Sequence, residues 1–213
     1  MLFRSYEPEV QSEYDVAVDA HTVSIIDQNF DALSTGRTMP TYFTRNSDTG
    51  AKINIVASGD NKYILMSEPA NGADIRVVPS GDAATAVSEC TSIIYEMEVG
   101  YDTAGVTLLI YGRGSTSSKT YNFGTITSGG TLTNGTEVIH TFEAGQMNKL
   151  TIVMDFDADT YDLYVDEVKK VTGASLGNFD VFQELRFKVN STGTVENRDL
   201  KIDNVKVLGK AAE

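Results

Sequence analysis

The sequence predicts an all-β protein, a two-sheet antiparallel β-sandwich. Short runs rich in Val, Ile, Tyr, Phe and Thr recur along most of the chain. Gly, Asn, Asp and Ser punctuate them, as in SGDN (58–61), SGG (128–130), NG (134–135) and STG (191–193). Sustained helical periodicity is missing, and only DAATAVSEC (82–90) suggests a turn of helix. Many short strands broken at regular intervals by turn residues are the pattern of a sandwich or barrel.

In chain order, residues 1–27 read as an acidic N-terminal extension, with Glu7, Glu9, Glu13, Asp15, Asp19 and Asp27 against Arg4. Residues 1–12 have linker composition, while YDVAVDA (14–20) and TVSII (22–26) alternate like short strands. These two runs suit either the start of the main domain or the end of a preceding one. The main domain is expected over 28–208 and a C-terminal tail over 209–213. Strands are expected near 53–57, 61–67, 74–78, 91–99, 105–111 and 119–126. Further strands are expected near 136–142, 149–156, 160–166, 183–190 and 199–207. The phenylalanines Phe30, Phe43, Phe123, Phe142, Phe156, Phe179, Phe182 and Phe187 are the natural core.

Of the 213 residues 41% are hydrophobic, enough for a core rather than a disordered coil. The net charge of −13 repels phosphate backbones, anionic membranes and polyanionic glycans, which argues against a nucleic-acid partner. A single cysteine, Cys90, rules out an intrachain disulfide and a cysteine metal cluster. The two histidines, His21 and His140, lie far apart and in no metal-binding spacing, which disfavours a histidine-dependent zinc enzyme or triad. No apolar run approaches the ~20 residues of a membrane span, so membrane insertion is not expected. The opening MLFRSYEPEV has no signal-peptide core, and its Leu-Phe-Arg-Ser matches the translated end of a sequencing adapter. That reading makes the chain a fragment, tethered to further domains in a longer parent.

The stretch DFDADTYDLYVDEVKKV (155–171) mimics a calcium loop, with Asp155, Asp157, Asp159 and Asp166 at the first, third, fifth and twelfth positions. Thr160 stands where that loop needs glycine, and both flanks alternate with period two instead of forming helices. Leu150, Ile152, Met154 and Phe156 share one face, as do Tyr161, Leu163 and Val165 after a turn. The stretch is therefore expected to be a β-meander with its carboxylates at turns and on the wet face.

These residues resemble the concanavalin A-like or laminin-G-like jelly-roll modules of bacterial extracellular proteins. The likeness rests on LTIVMDFDADTYDLYVDEVKKV, on the closing DLKIDNVKV and on NFDALSTGRTMP (29–40) as an opening. It spans about residues 28–208. Met147 stands where the family commonly has Trp, Glu167 replaces the hairpin glycine, and the chain contains no Trp. The resemblance implies a jelly roll at the cell surface or outside it, a polysaccharide or other glycan as partner, and a structural calcium. Asp31 and Asp203 resemble the positions that supply calcium ligands in such modules.

The strands around TSIIYEMEV and VTLLIYGRG are the expected ligand surface. Glu96, Glu98, Tyr111 and Arg113 would form a polar, aromatic groove there if they share one face. Tyrosine would stack a sugar ring, and Arg and Glu would hydrogen-bond its hydroxyls. The plainer alternative makes them solvated side chains of a spacer or adhesion module. Glu96 and Glu98, ~6.5 to 7 Å apart on one strand face, also suit a degenerate glycoside hydrolase. The third carboxylate of the E-x-D-x-E pattern seen in jelly-roll glucanases is missing from this strand.

Overall fold

A computed structural model of the protein describes residues 11–46, 52–67, 71–103, 105–114, 120–177, 182–190 and 199–212. The elements run α1 (Glu13–Asp19), β1 (Val23–Gln28), β2 (Phe43–Asn46), β3 (Lys52–Ser58), β4 (Asn61–Ser67), β5 (Asp74–Val77) and α2 (Asp82–Ser88). There follow β6 (Cys90–Gly100), β7 (Leu108–Gly114), β8 (Thr120–Ile126), β9 (Thr131–Asn134) and β10 (Glu137–Thr141). The chain closes with β11 (Met147–Asp155), β12 (Thr160–Val165), β13 (Val168–Ser175), β14 (Phe182–Val189) and β15 (Asp199–Ala211).

These strands build two antiparallel sheets packed as a sandwich. The first sheet has the order β13-β12-β11-β6-β15-β4-β3, with β1 also paired to β15. The second has the order β10-β9-β8-β7-β14-β5-β2. Residues at alternate positions face inward and meet in one core. Ile93, Tyr95, Met97 and Val99 enter it from β6, Leu108 and Ile110 from β7, and Leu185, Phe187 and Val189 from β14. Phe30, Phe43, Phe123, Phe142, Phe182 and Phe187 are buried in it and Phe156 packs against it, while Phe179 lies outside the described residues.

The meander is present as expected. β11, β12 and β13 pair in sequence, with Leu150 opposite Val165 and Ile152 opposite Leu163. Asp155 accepts a hydrogen bond from the Ala158 N–H (2.9 Å) and so caps the turn that resembled a calcium loop. The next turn places Asp166 and Glu167 at φ 49° and 65°, the geometry of a two-residue hairpin. Asp166 holds it by accepting from the Lys149 N–H (2.9 Å) and from Asn148 (2.6 Å).

The N-terminal region differs from expectation. Residues 14–20 do not form a strand, because α1 occupies Glu13–Asp19. The Ser12 hydroxyl caps that helix through the Asp15 N–H, and Glu13 and Asp15 favour its positive end. YDVAVDA also fits helical spacing. Tyr14, Ala17, Val18 and His21 share one face, and Val16, which strand alternation would group with Tyr14, is 53% exposed. β1 then pairs with β15, so the sandwich begins inside the expected extension. β15 likewise runs to Ala211, into the expected tail.

Glycine at position 167 removes a left-handed side chain worth about 1 kcal/mol. The half-exposed Lys149–Glu167 ion pair lost with it contributes less. Glu167→Gly is therefore expected to raise stability by about 0.5 kcal/mol, read as a higher midpoint in urea unfolding.

Candidate functional site

The four residues expected to share a groove lie on opposite outer faces. Glu96 and Glu98 point outward from β6 in the first sheet, whereas Tyr111 and Arg113 point outward from β7 in the second. The chain leaves one sheet after Gly100 and enters the other at Leu108, so the two strands are successive in sequence but not paired. A whole sandwich separates the carboxylates from the tyrosine, and no single groove unites them.

α1 largely closes the outer face around Glu96. The Tyr14 hydroxyl donates to the Glu96 carboxylate, and the Tyr14 ring stands edge-on to Tyr164 at 5.6 Å. Lys149 lies over the Tyr14 ring at 5.2 Å. Burial, then the Glu96 carboxylate, pushes the Tyr14 hydroxyl up to about 12. His21 sits within hydrogen-bond distance of the Ser92 hydroxyl (2.8 Å) and the Ala17 carbonyl (2.6 Å), and burial lowers its pKa. Ile94 and Thr151 are fully buried, though they are on the outer side of the sheet. Two clefts stay open on this side, one of about 260 Å³ bordered by Glu96, Glu98, Lys149, Asn204 and Lys206, and one of about 300 Å³ beside α1 bordered by Val16, His21, Asp155, Asp162 and Lys210 among others.

The second sheet's outer face is organised by register. In one row Thr44, Arg76, Arg186, Tyr111 and Asn122 stand side by side across five strands. Beside it run Asp74 and Lys188 on one side, Glu184 and Arg113 on the other. Arg76 and Arg186 are direct cross-strand neighbours, a pairing of like charges that is unfavourable by itself. Asp74 offsets it. Arg76 grips the Asp74 carboxylate at 2.7 and 2.9 Å, and Arg186 approaches the same carboxylate at 3.8 Å. Arg186 also donates to Glu184 and to the Tyr111 hydroxyl (3.2 Å), and lies over the Tyr111 ring at 5.6 Å. The side chains of Asp74, Glu184 and Arg186 are only 3%, 10% and 10% exposed. Charges sunk so far into an outer face carry a desolvation cost that a solvated surface avoids. Next to Tyr111 a cleft of about 330 Å³ opens, lined by Leu109, Tyr111, Thr120, Tyr121, Asn122 and Lys188.

Asp74, Arg76, Glu184, Arg186 and Lys188 were legible in principle. DIRVV and QELRFKVN alternate charged with apolar residues, the same period that singled out Tyr111 and Arg113. What the sequence lacked was the pairing that sets these strands side by side.

The two carboxylates expected to bind calcium sit near the β3–β4 turn and already have partners. Asp31 accepts from the Lys62 N–H (2.8 Å), and the Lys62 ammonium donates to the carbonyls of Asp31 (2.6 Å) and Leu33 (2.7 Å). A fixed cation thus occupies the carbonyl oxygens that calcium would seek. Asp203 is 1% exposed, opposes Glu98 across the strands, and accepts from Asn61 (3.0 Å) and the Asn204 N–H (2.8 Å). Among the described residues no group of three or more His, Cys, Asp or Glu side chains is arranged to hold a metal. As placed, Asp31 and Asp203 are engaged by Lys62, Asn61 and Asn204.

No family model matches the chain, and no curated protein matches it in sequence. Solved structures do share its fold. A sialidase superposes over 88% of this chain with TM-score 0.66 and 13% identity. Botulinum neurotoxin type C, whose cell entry depends upon interaction with two ganglioside molecules, covers 92% with TM-score 0.59 and 8% identity. The binding domain of Paraclostridial Mosquitocidal Protein 1 covers 90% with TM-score 0.55 and 12% identity. The chain spans 19% of the sialidase and 50% of each of the other two. At these identities the likeness is one of fold.

Burial raises the Asp203 carboxyl pKa, hydrogen bonds from Asn61 and Asn204 offset part of that, and the charges of Glu98 and Asp31 add to it. A carboxyl raised in the folded state costs stability when ionised, and the cost fades as pH falls through the raised value. Asp203→Asn escapes this cost but gives up one of the two acceptor oxygens, so its stability relative to wild type is expected to be highest at pH 7 and to fall towards about pH 4. Urea unfolding across that range checks it. A variant less stable at pH 7 only when calcium is present would show the opposite, a metal role for Asp203.

Proposed function

We propose that the chain is a non-catalytic, carbohydrate-binding module with a concanavalin A-like jelly-roll fold. Its glycan site would be the outer face of the second sheet at Tyr111. The observation that carries this reading is the row Arg76–Arg186–Tyr111, an aromatic ring held at the mouth of a cleft by a buried ionic lattice. A sugar ring presents C–H groups to stack on the phenol, and Asn122, Thr120 and Lys188 offer hydrogen bonds to its hydroxyls. The fold shared with a ganglioside-dependent toxin supports the same class of ligand. An extracellular or cell-surface setting, with the module tethered to further domains, goes with this function.

The hydrolase alternative would place chemistry at Glu96 and Glu98. There the Tyr14 hydroxyl already engages Glu96, and the third acid nearby, Asp203, is turned into its own hydrogen bonds. The spacer alternative leaves the buried charges of the second sheet without a purpose.

A glycan array read with the folded protein, with and without chelator, tests the proposal. Tyr111→Ala should lower binding about tenfold or more, since ring stacking contributes about 1 kcal/mol beyond the buried area. Glu98→Gln, on the far face, should leave binding unchanged. The reverse pattern would move the site to the first sheet, and a blank array would favour the spacer.

A further inference from the structure

We infer that the Tyr111 site selects glycans bearing a single sugar carboxylate over neutral ones. This rests on the glycan reading above and names its ligand class. The outer face of the second sheet holds the cations Arg76, Arg113, Arg186 and Lys188 against the carboxylates Asp74 and Glu184. That is a local excess of positive charge on a chain whose net charge is −13. The acidic surplus lies on the rest of the chain, so an anion is drawn to this face in preference.

Beside Lys188, which has no ion pair among the described residues, the cation left over within the face is Arg113. Its nearest carboxylate, Glu184, is 3.7 Å away and is already bound by two nitrogens of Arg186. The Arg113 Nε is buried without a hydrogen-bond partner among the described residues, while the side chain as a whole is 32% exposed, so a ligand would meet the outer part of the guanidinium. Arg113 lies two residues beyond Tyr111 on the same strand face, ~6.5 to 7 Å along it. A sugar stacked on Tyr111 would bring a ring substituent within reach of the guanidinium. The planar fork of arginine matches a carboxylate, and charge-assisted hydrogen bonds are roughly twice as strong as neutral ones. Lys188, which lines the cleft itself, adds a second cation on the other side of Tyr111 from Arg113.

The same charge map limits the ligand's size. The positive patch spans only a few side chains, and the acidic remainder of the surface would repel a long polyanion. A short or terminal carboxylated unit fits, whereas a heavily sulfated polymer does not.

Titration calorimetry on matched pairs decides this: lactose against sialyllactose, and galacturonic acid against its methyl ester. The expected result is about tenfold or greater preference for the free carboxylate of at least one pair, weakening with salt. Arg113→Gln should remove that preference, Arg113→Lys should keep part of it, and Lys206→Gln on the opposite face should change nothing. The ester comparison needs no variant, so a poorly folding Arg113→Gln does not blunt the test. Equal binding of both members of each pair, lost in Tyr111→Ala, would overturn the carboxylate inference and leave the glycan reading standing. Tighter binding of heparin than of either acid would also overturn it. No binding of any sugar by the folded protein would overturn both readings.

Discussion

The aromatic contact between the two sheets is the constraint on which the rest of the structure depends. Tyr95 and Tyr161 from the first sheet meet Phe182 and Phe123 from the second, with centroids 5.4 Å apart for Tyr95–Phe182 and 5.1 Å for Phe123–Tyr161. These are the edge-on and tilted geometries that aromatic rings favour. The rings need room, and Gly112 supplies it. A Cβ there would stand 2.5 Å from Phe182 and 2.9 Å from Phe123. Gly112 faces inward between Tyr111 and Arg113, which face outward. The same residue that lets the core close therefore fixes the strand from which the candidate site projects.

The two outer faces solve the exposure of a sheet surface differently. The first is covered by a helix, and Tyr14, Tyr164 and Ile94 form a thin apolar layer beyond the main core. Lys169 pairs with Glu13 (3.0 Å) at the edge of that helix, a solvent-screened contact. The second face has no such cover among the described residues, and it is organised by charge. Asp74 and Glu184 neutralise the arginines, and each is held within one strand as well as across strands. Such a lattice is rigid because each ion depends on its neighbours, and removing one leaves another buried and unpaired. Rigidity there preorganises Tyr111, whose ring and hydroxyl are both fixed by Arg186.

Alternation within a strand was readable, and with it the fold class and the inward or outward sense of residues on β6 and β7. Pairing between strands was not. TSIIYEMEV and VTLLIYGRG are neighbours in sequence, and adjacency is the common outcome for consecutive strands. Here the seven residues between Gly100 and Leu108 carry the chain across to the other sheet, with nothing in their composition to announce it. The strand β2, FTRN, and β9, TLTN, are four residues each, too short for a periodic signal. The helix α1 escaped for another reason. Seven residues with apolar positions at 14, 16, 17 and 18 satisfy both periods, and the deciding partner, the outer face of a distant sheet, is invisible locally.

Charge distribution connects fold to ligand choice. A surplus of carboxylates spread over the surface contributes to solubility and says little about binding. Four cations on adjacent strands of one sheet, two of them directly opposed, are different, because register forces them together at a cost in repulsion. Two carboxylates relieve most of that repulsion, and the remainder falls to Arg113 and Lys188, on either side of Tyr111, the only described tyrosine on that face whose ring is already held by a guanidinium. A neutral partner would leave this residual field unanswered. A carboxylate completes it, so the binding energy would come from a charge imbalance that the folded sheet already carries.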